Sequence, residues 1–349
     1  MKLMGRLLLI LVSQAVILPA AFGHHSTAAN YDESTTIEIE GVITEVRWRN
    51  PHVMFKLGVG TAAGVDEIWR ISTNSVSGLR RKNISKAILE VGDHVRFAGH
   101  PARHDDTGLW ATNLLLEGVR EFVLDTGAGQ RWSGEVNGMS GPVFATEGDV
   151  SEPERGIFRV WSHTRATNML LPETVVADFD VMTYPLTESA RQLVREFNPV
   201  TDNPTANCAP KGMPTIMEQP YPMGIVEDGS DIILNLEEYD TVRTVHMEAG
   251  TAPGETQGSP LGYSVGHWEG NTLVVSTDHM NWGHFDQAGV PLSDAVVVTE
   301  RFALSDDGGR LDYSMTIVDS ATFTEPVELT KFWLYVPGVE VHTFECVAD

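Results

Sequence analysis

Short runs that alternate apolar and polar residues cover the first third of the chain and predict a small barrel. Val53, Phe55 and Leu57 fall on one face of such a run, which is the pattern of a half-buried strand. Five strands are expected, at residues 36–48, 53–59, 67–72, 94–99 and 109–117. A polar segment, residues 75–89, separates the third strand from the fourth and is expected to be helical. Three strands, a helix and two strands is the order of an OB-type barrel, so residues 24–118 are predicted to form an OB-like domain.

The second half of the chain carries a longer series of strand-like runs and predicts a larger barrel. In one run Leu311, Tyr313, Met315 and Ile317 alternate with polar residues, as in a strand with one face on a core. The runs span residues 223–227, 231–238, 241–248, 262–268, 272–278, 295–304, 310–318, 326–336 and 339–347. Gly-containing turn pairs separate several of them, where hairpins need such pairs. This series favours an antiparallel, lipocalin-like β-barrel over residues 156–349, of a size that can hold one small ligand.

Two further stretches complete the mainly β fold that the pattern predicts. One short helix is expected at residues 187–197, with Thr187 as its N-cap and with Leu193, Val194 and Phe197 on one side. Residues 119–155 are rich in Gly, Ser, Glu and Asp, and are predicted to be a linker between the two domains.

Residues 1–23 have the pattern of a secretory signal peptide. Lys2 and Arg6 precede an apolar run, and small residues follow it. The apolar run is too short for a good membrane span, and cleavage after Gly23 would leave His24 as the first residue. We therefore expect a protein of the periplasm or the extracellular space, with no membrane span once the signal is removed.

The charge of the chain disfavours some classes of partner. The formal net charge is −24 at pH 7. Such acidity disfavours nucleic acid and anionic membrane surfaces, and favours a neutral or cationic partner. A small-molecule ligand is the expected partner, and the sequence indicates no oligomeric state.

The chain has two cysteines, Cys208 and Cys346. An even count in an exported chain suggests one disulfide, here joining the C-terminus to the start of the second domain. A pair of buried thiols is the alternative. Without a CxxC pair, a zinc site on these cysteines is disfavoured.

Three separated motifs resemble one family of exported proteins. They are HHSTAANYD at residues 24–32, IEIEGVITEVRWRNPH at 37–52 and GLRR at 78–81. Over roughly residues 24–118 the chain resembles DUF6152, a family of unknown function. The resemblance implies the small barrel but no activity. Short motifs after Gly156 resemble a domain, also without a settled function, that often accompanies such segments.

The long connection between two of the predicted strands contains the residues best suited to chemistry. It follows the run at 272–278 and includes His279, Asn281, His284 and Asp286. Imidazole near carboxylate is the ordinary equipment for acid–base catalysis near neutral pH, so these four residues are the candidate catalytic groups. The candidates for contacts with a ligand are His267, Trp268, Trp282, Ser293 and Asp294.

Other interpretations of this connection stay open. Asp278, Asn281 and Asp286 could cap turns through the backbone, while neighbouring groups satisfy the histidines. Two histidines and a carboxylate could hold zinc or iron, although the spacing of His279 and His284 matches no standard helical zinc motif. Ser293 has no nucleophile elbow around it, and the glycines here do not form a phosphate loop.

The predicted N-terminus offers a second kind of site. The α-amine and the imidazole of His24 are two nitrogen donors suited to copper, and a third imidazole would complete a histidine brace. His25 lies beside it, and His52, His100 or His104 of the small barrel could supply the third imidazole. No cofactor is required by the sequence, and copper is the one it suggests.

Three functions follow from these sites. The preferred hypothesis is a β-barrel that binds a small, largely apolar or neutral molecule and acts on it by His/Asp acid–base chemistry of the lyase, isomerase or hydrolase type. A copper-binding protein or copper enzyme that uses His24 is the first alternative. The second alternative is an interaction module without catalysis.

Overall fold

The structure is a computed structural model, and it describes residues 30–60, 66–132, 134–163, 180–198, 202, 205, 208–248 and 258–346. The predicted signal peptide, His24 and His25 lie outside these residues. The described chain is mainly β, with two closed barrels and two α-helices. Neither helix is long and apolar enough to cross a membrane within this part of the chain.

Five strands close the N-terminal barrel, as predicted. They are β1 (Ile37–Arg47), β2 (Met54–Gly60), β3 (Asp66–Ser72), β4 (His94–Pro101) and β5 (Gly108–Leu116). They pair in the order β3-β2-β1-β4-β5, and a parallel pairing of β3 with β5 closes the ring. Helix α1 (Val76–Arg81) lies between β3 and β4. This is the OB-type order of strands, and the inward faces carry a core that includes Phe55, Leu57 and Phe97.

Helix α1 is shorter than the polar segment suggested. The hydroxyl of Ser75 caps its start by accepting the backbone N–H of Gly78 at 3.0 Å. Asn83 has a φ of 60°, a left-handed conformation that asparagine tolerates and that stops the helix after one and a half turns. A short 3₁₀ turn, Lys86–Ile88, follows before β4.

The segment predicted to be a linker, residues 119–155, contains two strands of the small barrel's sheet. Strand β6 (Arg120–Val123) pairs antiparallel with β5, and β7 (Glu135–Asn137) pairs parallel with β6. Phe122 and Leu124 are buried in the core of the small barrel. The pairing of β6 and β7 and the burial of Phe122 and Leu124 therefore make this part of the segment a component of the first domain.

Nine strands close the C-terminal barrel, which confirms the predicted second barrel. They are β8 (Val160–Ser162), β9 (Met223–Asp228), β10 (Asp231–Leu236), β11 (Thr241–His246), β12 (Tyr263–Glu269), β13 (Thr272–Asp278), β14 (Val297–Leu304), β15 (Arg310–Val318) and β16 (Val327–Tyr335). The strands follow one another around the ring from β8 to β16, and β16 pairs with β8. All neighbours are antiparallel except β11 and β12, which pair in parallel. Parallel neighbours need a long crossover in place of a hairpin, and more than a dozen residues join these two strands.

The prediction of a strand at residues 339–347 is wrong for the residues that the structure describes. Residues 340–345 form no strand, and Cys346 makes a single bridge to Asn50 of the small barrel. Side chains satisfy the backbone there: Glu237 accepts the N–H of His342 at 3.1 Å, and Asp240 accepts that of Phe344 at 3.0 Å. The ninth strand of the ring is the three-residue β8 instead.

The middle of the C-terminal barrel is filled with side chains. Trp161, Phe302, Tyr313 and Trp333 are buried there. Residues 213–219 pass into the ring, since the Met217 sulfur lies 3.7 Å from a nitrogen of Arg243 on β11 and the Met217 carbonyl accepts Lys331 of β16 at 3.2 Å. Side chains of the described residues therefore occupy the interior in which the sequence predicted room for a small ligand.

The predicted short helix is present as α2 (Glu188–Glu196), capped by the Thr187 hydroxyl. Ala190 and Val194 are its buried residues, whereas Leu193 is exposed. The predicted disulfide between Cys208 and Cys346 is also present, and it closes a loop with a sequence separation of 138.

Candidate functional site

The connection between β13 and β14 begins with two exposed polar residues that have local partners. His279 has a φ of 54°, and its Nδ1 lies 2.6 Å from Oδ1 of Asp278. The side-chain amide of Asn281 donates to the carbonyl of Gly258 at 2.7 Å. The polar groups of both side chains are therefore held by neighbours at this end of the barrel.

Asp286 occupies a different environment a few residues later. Its Oδ1 accepts the backbone N–H groups of Ala288 at 2.9 Å and Val290 at 3.1 Å. Although the residue is only partly buried as a whole, burial of its carboxyl raises the pKa of Asp286 to about 7, against the opposing effect of those N–H groups. The charge of Glu218 raises the pKa of Asp286 further.

An aromatic cluster lies beside this carboxyl. The ring of Phe285 is 5.1 Å from that of Tyr184 and 5.0 Å from that of Phe323. Burial and the charge of Asp286 raise the pKa of the Tyr184 hydroxyl, which places that phenol within electrostatic reach of Asp286. A carboxyl whose pKa is near 7 therefore lies next to a buried aromatic cluster.

His284 is half-buried on the same turn. Its ring lies edge-on to Trp282, with 5.1 Å between the ring centroids. The Thr215 hydroxyl ties the turn to residues 213–219, which pass into the ring. It donates to the His284 carbonyl at 2.9 Å and accepts the indole N–H of Trp282 at 2.9 Å. Burial lowers the pKa of His284, so this imidazole is neutral at neutral pH.

Of the two predicted ligand residues at the end of the connection, Ser293 has a local structural role. The Ser293 hydroxyl donates to Asp319 at 2.8 Å, and the Ser293 backbone N–H donates to the other oxygen of Asp319 at 2.7 Å. Asp294 is exposed. This arrangement anchors the loop to the turn after β15.

His267 and Trp268 lie at the other end of the barrel. Both are exposed, near the turn that joins β12 to β13, and the full length of β13 separates them from the β13–β14 connection. They border a surface depression of about 310 Å³ together with Glu227 and Asp231. The predicted site residues therefore lie at two opposite ends of the C-terminal barrel. At the end that carries the β13–β14 connection, Trp282, His284 and Asp286 share one turn.

The copper hypothesis rests mostly on residues that are not described. His24 and His25 lie outside the described part of the chain. His52 is exposed, with Nδ1 3.2 Å from the Thr73 carbonyl and its ring edge-on to Trp110. Within the described ranges no group of three or more His, Cys, Asp or Glu side chains could hold a metal ion. Copper binding through His24 stays a prediction.

The sequence did not predict a group of buried polar residues where the two barrels meet. Arg81 of α1 reaches the second domain and donates to the Pro220 carbonyl at 2.9 Å. His163 lies next to it, with Nε2 3.4 Å from Nη2 of Arg81. The charge of Lys331, on β16, in turn acts on His163. Burial lowers the pKa of Lys331 to about 7, and this ammonium group donates to the carbonyls of Met217 and Gln219. The only sequence signal was the basic GLRR motif, which does not show which arginine turns inward.

One part of the chain matches a known protein family. Residues 10–111 match a family of unknown function, DUF6152, as the motifs of the small barrel predicted. The remaining residues match no family. No curated protein matches the chain.

Proposed function

We propose that the protein is exported and binds a small neutral molecule at the end of the C-terminal barrel formed by Trp282, His284 and Asp286. His284 and Asp286 then exchange protons with that molecule. The observation that carries the proposal is Asp286, a carboxyl that titrates near neutral pH beside an aromatic cluster.

The surroundings favour a neutral ligand over an ionic one. Glu218 adds negative charge beside Asp286, which repels anions. The buried rings of Tyr184, Phe285 and Phe323 make the surroundings of Asp286 apolar, which favours uncharged groups over ions. The side chains that fill the barrel axis favour a site at the end of the ring.

Two protonation states suit acid–base chemistry. His284 is neutral and can accept a proton, while Asp286 is partly protonated near pH 7 and can donate one. That combination suits a lyase, an isomerase or a hydrolase acting on an uncharged substrate.

Export is supported by two features. Residues 1–23 have the pattern of a signal peptide, and the chain carries a disulfide, which persists in oxidising compartments. Cell fractionation and N-terminal sequencing of the exported protein test this part of the proposal.

The ligand site is tested by screening neutral alcohols, ketones, esters and amides for a saturable rise in melting temperature. Asp286→Asn keeps a side-chain oxygen that can accept the N–H groups of Ala288 and Val290, so the turn should be preserved. The amide cannot exchange a proton as the carboxyl does, so the variant removes that step alone. We expect Asp286→Asn to abolish any turnover detected by mass spectrometry, and His284→Ala to weaken binding at least tenfold.

The matched control is His267→Ala, which removes an exposed imidazole at the opposite end of the barrel. It should leave affinity and turnover unchanged. Equal binding by the wild type, His284→Ala and Asp286→Asn, or no saturable stabilisation across the library, would contradict the proposal.

A further inference from the structure

The outer face of the small barrel carries a cleft with polar walls. Its volume is about 730 Å³. Ligand sites usually measure about 300–1,000 Å³. His100 of β4 and Trp110 of β5 both line the cleft, and they are direct cross-strand partners. They lie on the outer face of the sheet, because Leu109 and Ala111, on either side of Trp110, belong to the core. The cleft is therefore formed by the first domain alone.

One wall of the cleft, residues 125–131, is held by a buried carboxylate. Glu121 of β6 is 0% exposed, and it accepts the backbone N–H groups of residues 131–132 at 2.7 and 2.8 Å. The buried amide of Asn113 donates to Glu121 at 2.7 Å and to the Gly129 carbonyl at 2.9 Å. Burying a carboxylate is costly unless donors satisfy it, and here they do. The wall is therefore formed before any ligand arrives, which reduces the entropy cost of binding.

Two side chains that line the cleft have an acceptor atom left for a ligand. Nδ1 of His100 lies 2.8 Å from the Thr35 carbonyl. A carbonyl only accepts, so Nδ1 holds the ring hydrogen and Nε2 of the neutral ring is an acceptor. By the same argument the Gln130 side chain donates its NH₂ group to the Trp132 carbonyl, at 2.8 Å. No described residue donates to the side-chain oxygen of Gln130.

Asp125 adds a carboxylate to the same wall. Its Oδ2 accepts the indole N–H of Trp110 at 3.0 Å, and its Oδ1 accepts the backbone N–H of Gly127 at 2.8 Å. The residue is partly exposed, and each carboxylate oxygen can accept a second hydrogen. A ligand that donates to Asp125 should therefore alter the hydrogen bond of the Trp110 indole.

The walls favour a polar ligand without a negative charge. Glu33 and Asp125 both line the cleft, and the guanidinium of Arg131 is paired with Glu38 at 2.7 Å, so an anion is disfavoured. Trp110, the one large apolar side chain among the described lining residues, is only 6% exposed, which leaves little surface for an apolar ligand. Hydroxyl groups donate to such acceptors and also accept hydrogens. A molecule with several hydroxyl groups therefore fits best.

We propose that this cleft binds a neutral sugar, with His100, Asp125 and Gln130 accepting hydrogens from its hydroxyl groups. The N–H groups of Arg131 that do not face Glu38 donate to a sugar oxygen. The site lies on the small barrel, so it is separate from the proton exchange that we propose at the other domain.

The test is NMR titration of the full exported chain at pH 7 with glucose, galactose and mannose. The readout is the indole N–H resonance of Trp110, assigned with Trp110→Phe, because this group donates to Asp125. We expect a saturable shift with at least one of the three sugars. The matching uronate, which is an anion, and the matching amino sugar, which is a cation, should bind at least threefold more weakly than that sugar.

Variants locate the sugar in the cleft. His100→Ala and Gln130→Ala should each weaken binding at least tenfold. The matched control is His94→Ala, which removes an exposed imidazole at the start of the same strand, outside the lining of the cleft. It should leave the affinity unchanged. His284→Ala should also leave it unchanged, which separates this site from the one at the end of the C-terminal barrel.

Three results would overturn the proposal. The first is the absence of a saturable shift with all three sugars in the wild type, a measurement that needs no variant to fold. The second is tighter binding of the uronate or the amino sugar than of the neutral sugar. The third is an affinity that His100→Ala and Gln130→Ala leave unchanged, or that His284→Ala abolishes.

Discussion

Arg243 and Glu300 form an ion pair inside the C-terminal barrel, joining β11 to β14 across the ring. Nη1 of Arg243 lies 2.9 Å from Oε1 of Glu300, and both side chains are at most 1% exposed. The Tyr313 hydroxyl donates to Glu300 at 2.7 Å, and the guanidinium donates to the hydroxyls of Ser264 and Thr277. The network is internally satisfied, which indicates a structural role.

Removing one partner of this pair should destabilise the fold strongly. Glu300→Gln leaves the Arg243 charge buried without a counter-charge, and we expect a loss of about 3–5 kcal/mol in the free energy of unfolding. Urea denaturation followed by tryptophan fluorescence measures it.

Two controls accompany this measurement. Asp312→Asn breaks an exposed ion pair with Arg310 and should cost less than about 1 kcal/mol. The double variant Arg243→Met, Glu300→Leu should be more stable than Glu300→Gln, because it leaves no unpaired charge. A loss below about 1 kcal/mol in Glu300→Gln would show that the pair contributes little.

Asp286 should make the folded state less stable as the pH rises towards neutrality. Its pKa is raised from 3.8 to about 7, so the native state holds a proton that the unfolded state has lost between these values. The stabilisation is fully present below pH 3.8 and disappears as the pH passes 7. We expect the wild type to lose about 3–4 kcal/mol relative to Asp286→Asn over this range.

Unfolding by urea at half-unit pH steps measures the Asp286 effect. Asp307→Asn is the control of opposite sign, because the hydroxyl of Ser305 lowers the pKa of the exposed Asp307. Parallel pH profiles for the wild type and Asp286→Asn would show that Asp286 ionises normally in the folded protein.

Lys331 should make the free energy of unfolding depend on pH above neutrality. Its pKa is lowered from 10.5 to about 7, so between these values the unfolded state binds a proton that the native state has released. Stability from this group therefore rises with pH over that window. The gain in stability of Lys331→Met over the wild type should be largest near pH 7 and should fall by about 4 kcal/mol towards pH 10.5. A gain that does not change with pH would contradict the shift.

The disulfide should contribute measurably to stability. It joins Cys208 to Cys346 across a separation of 138 residues, and closing a long loop restricts the unfolded chain. The double variant Cys208→Ala, Cys346→Ala should lose about 2–5 kcal/mol. Thermal unfolding with and without a reductant checks this contribution. The reductant should lower the melting temperature of the wild type and leave that of the variant unchanged. An equal response in the variant would contradict the disulfide.

The sequence by itself determined the two barrels and most of their strands. Alternation such as that of Leu311, Tyr313 and Met315 depends on local periodicity, which a strand with one buried face imposes directly. The OB-type order of the small barrel, the cap at Thr187 and the pairing of the two cysteines also follow from local signals or simple counting. All of them are present in the structure.

Only the tertiary structure decided which strands close each ring and which polar residues meet. β8 is too short to be recognised from periodicity, and residues 339–346 have strand-like composition but bond to the side chains of Glu237 and Asp240. Arg81 and His163 are 82 positions apart and come together only because α1 packs on the second barrel. His267 and His284 are close in sequence but lie at opposite barrel ends, because the strand between them spans the wall. Contacts between distant residues depend on how the domains pack, and local sequence patterns do not encode that packing.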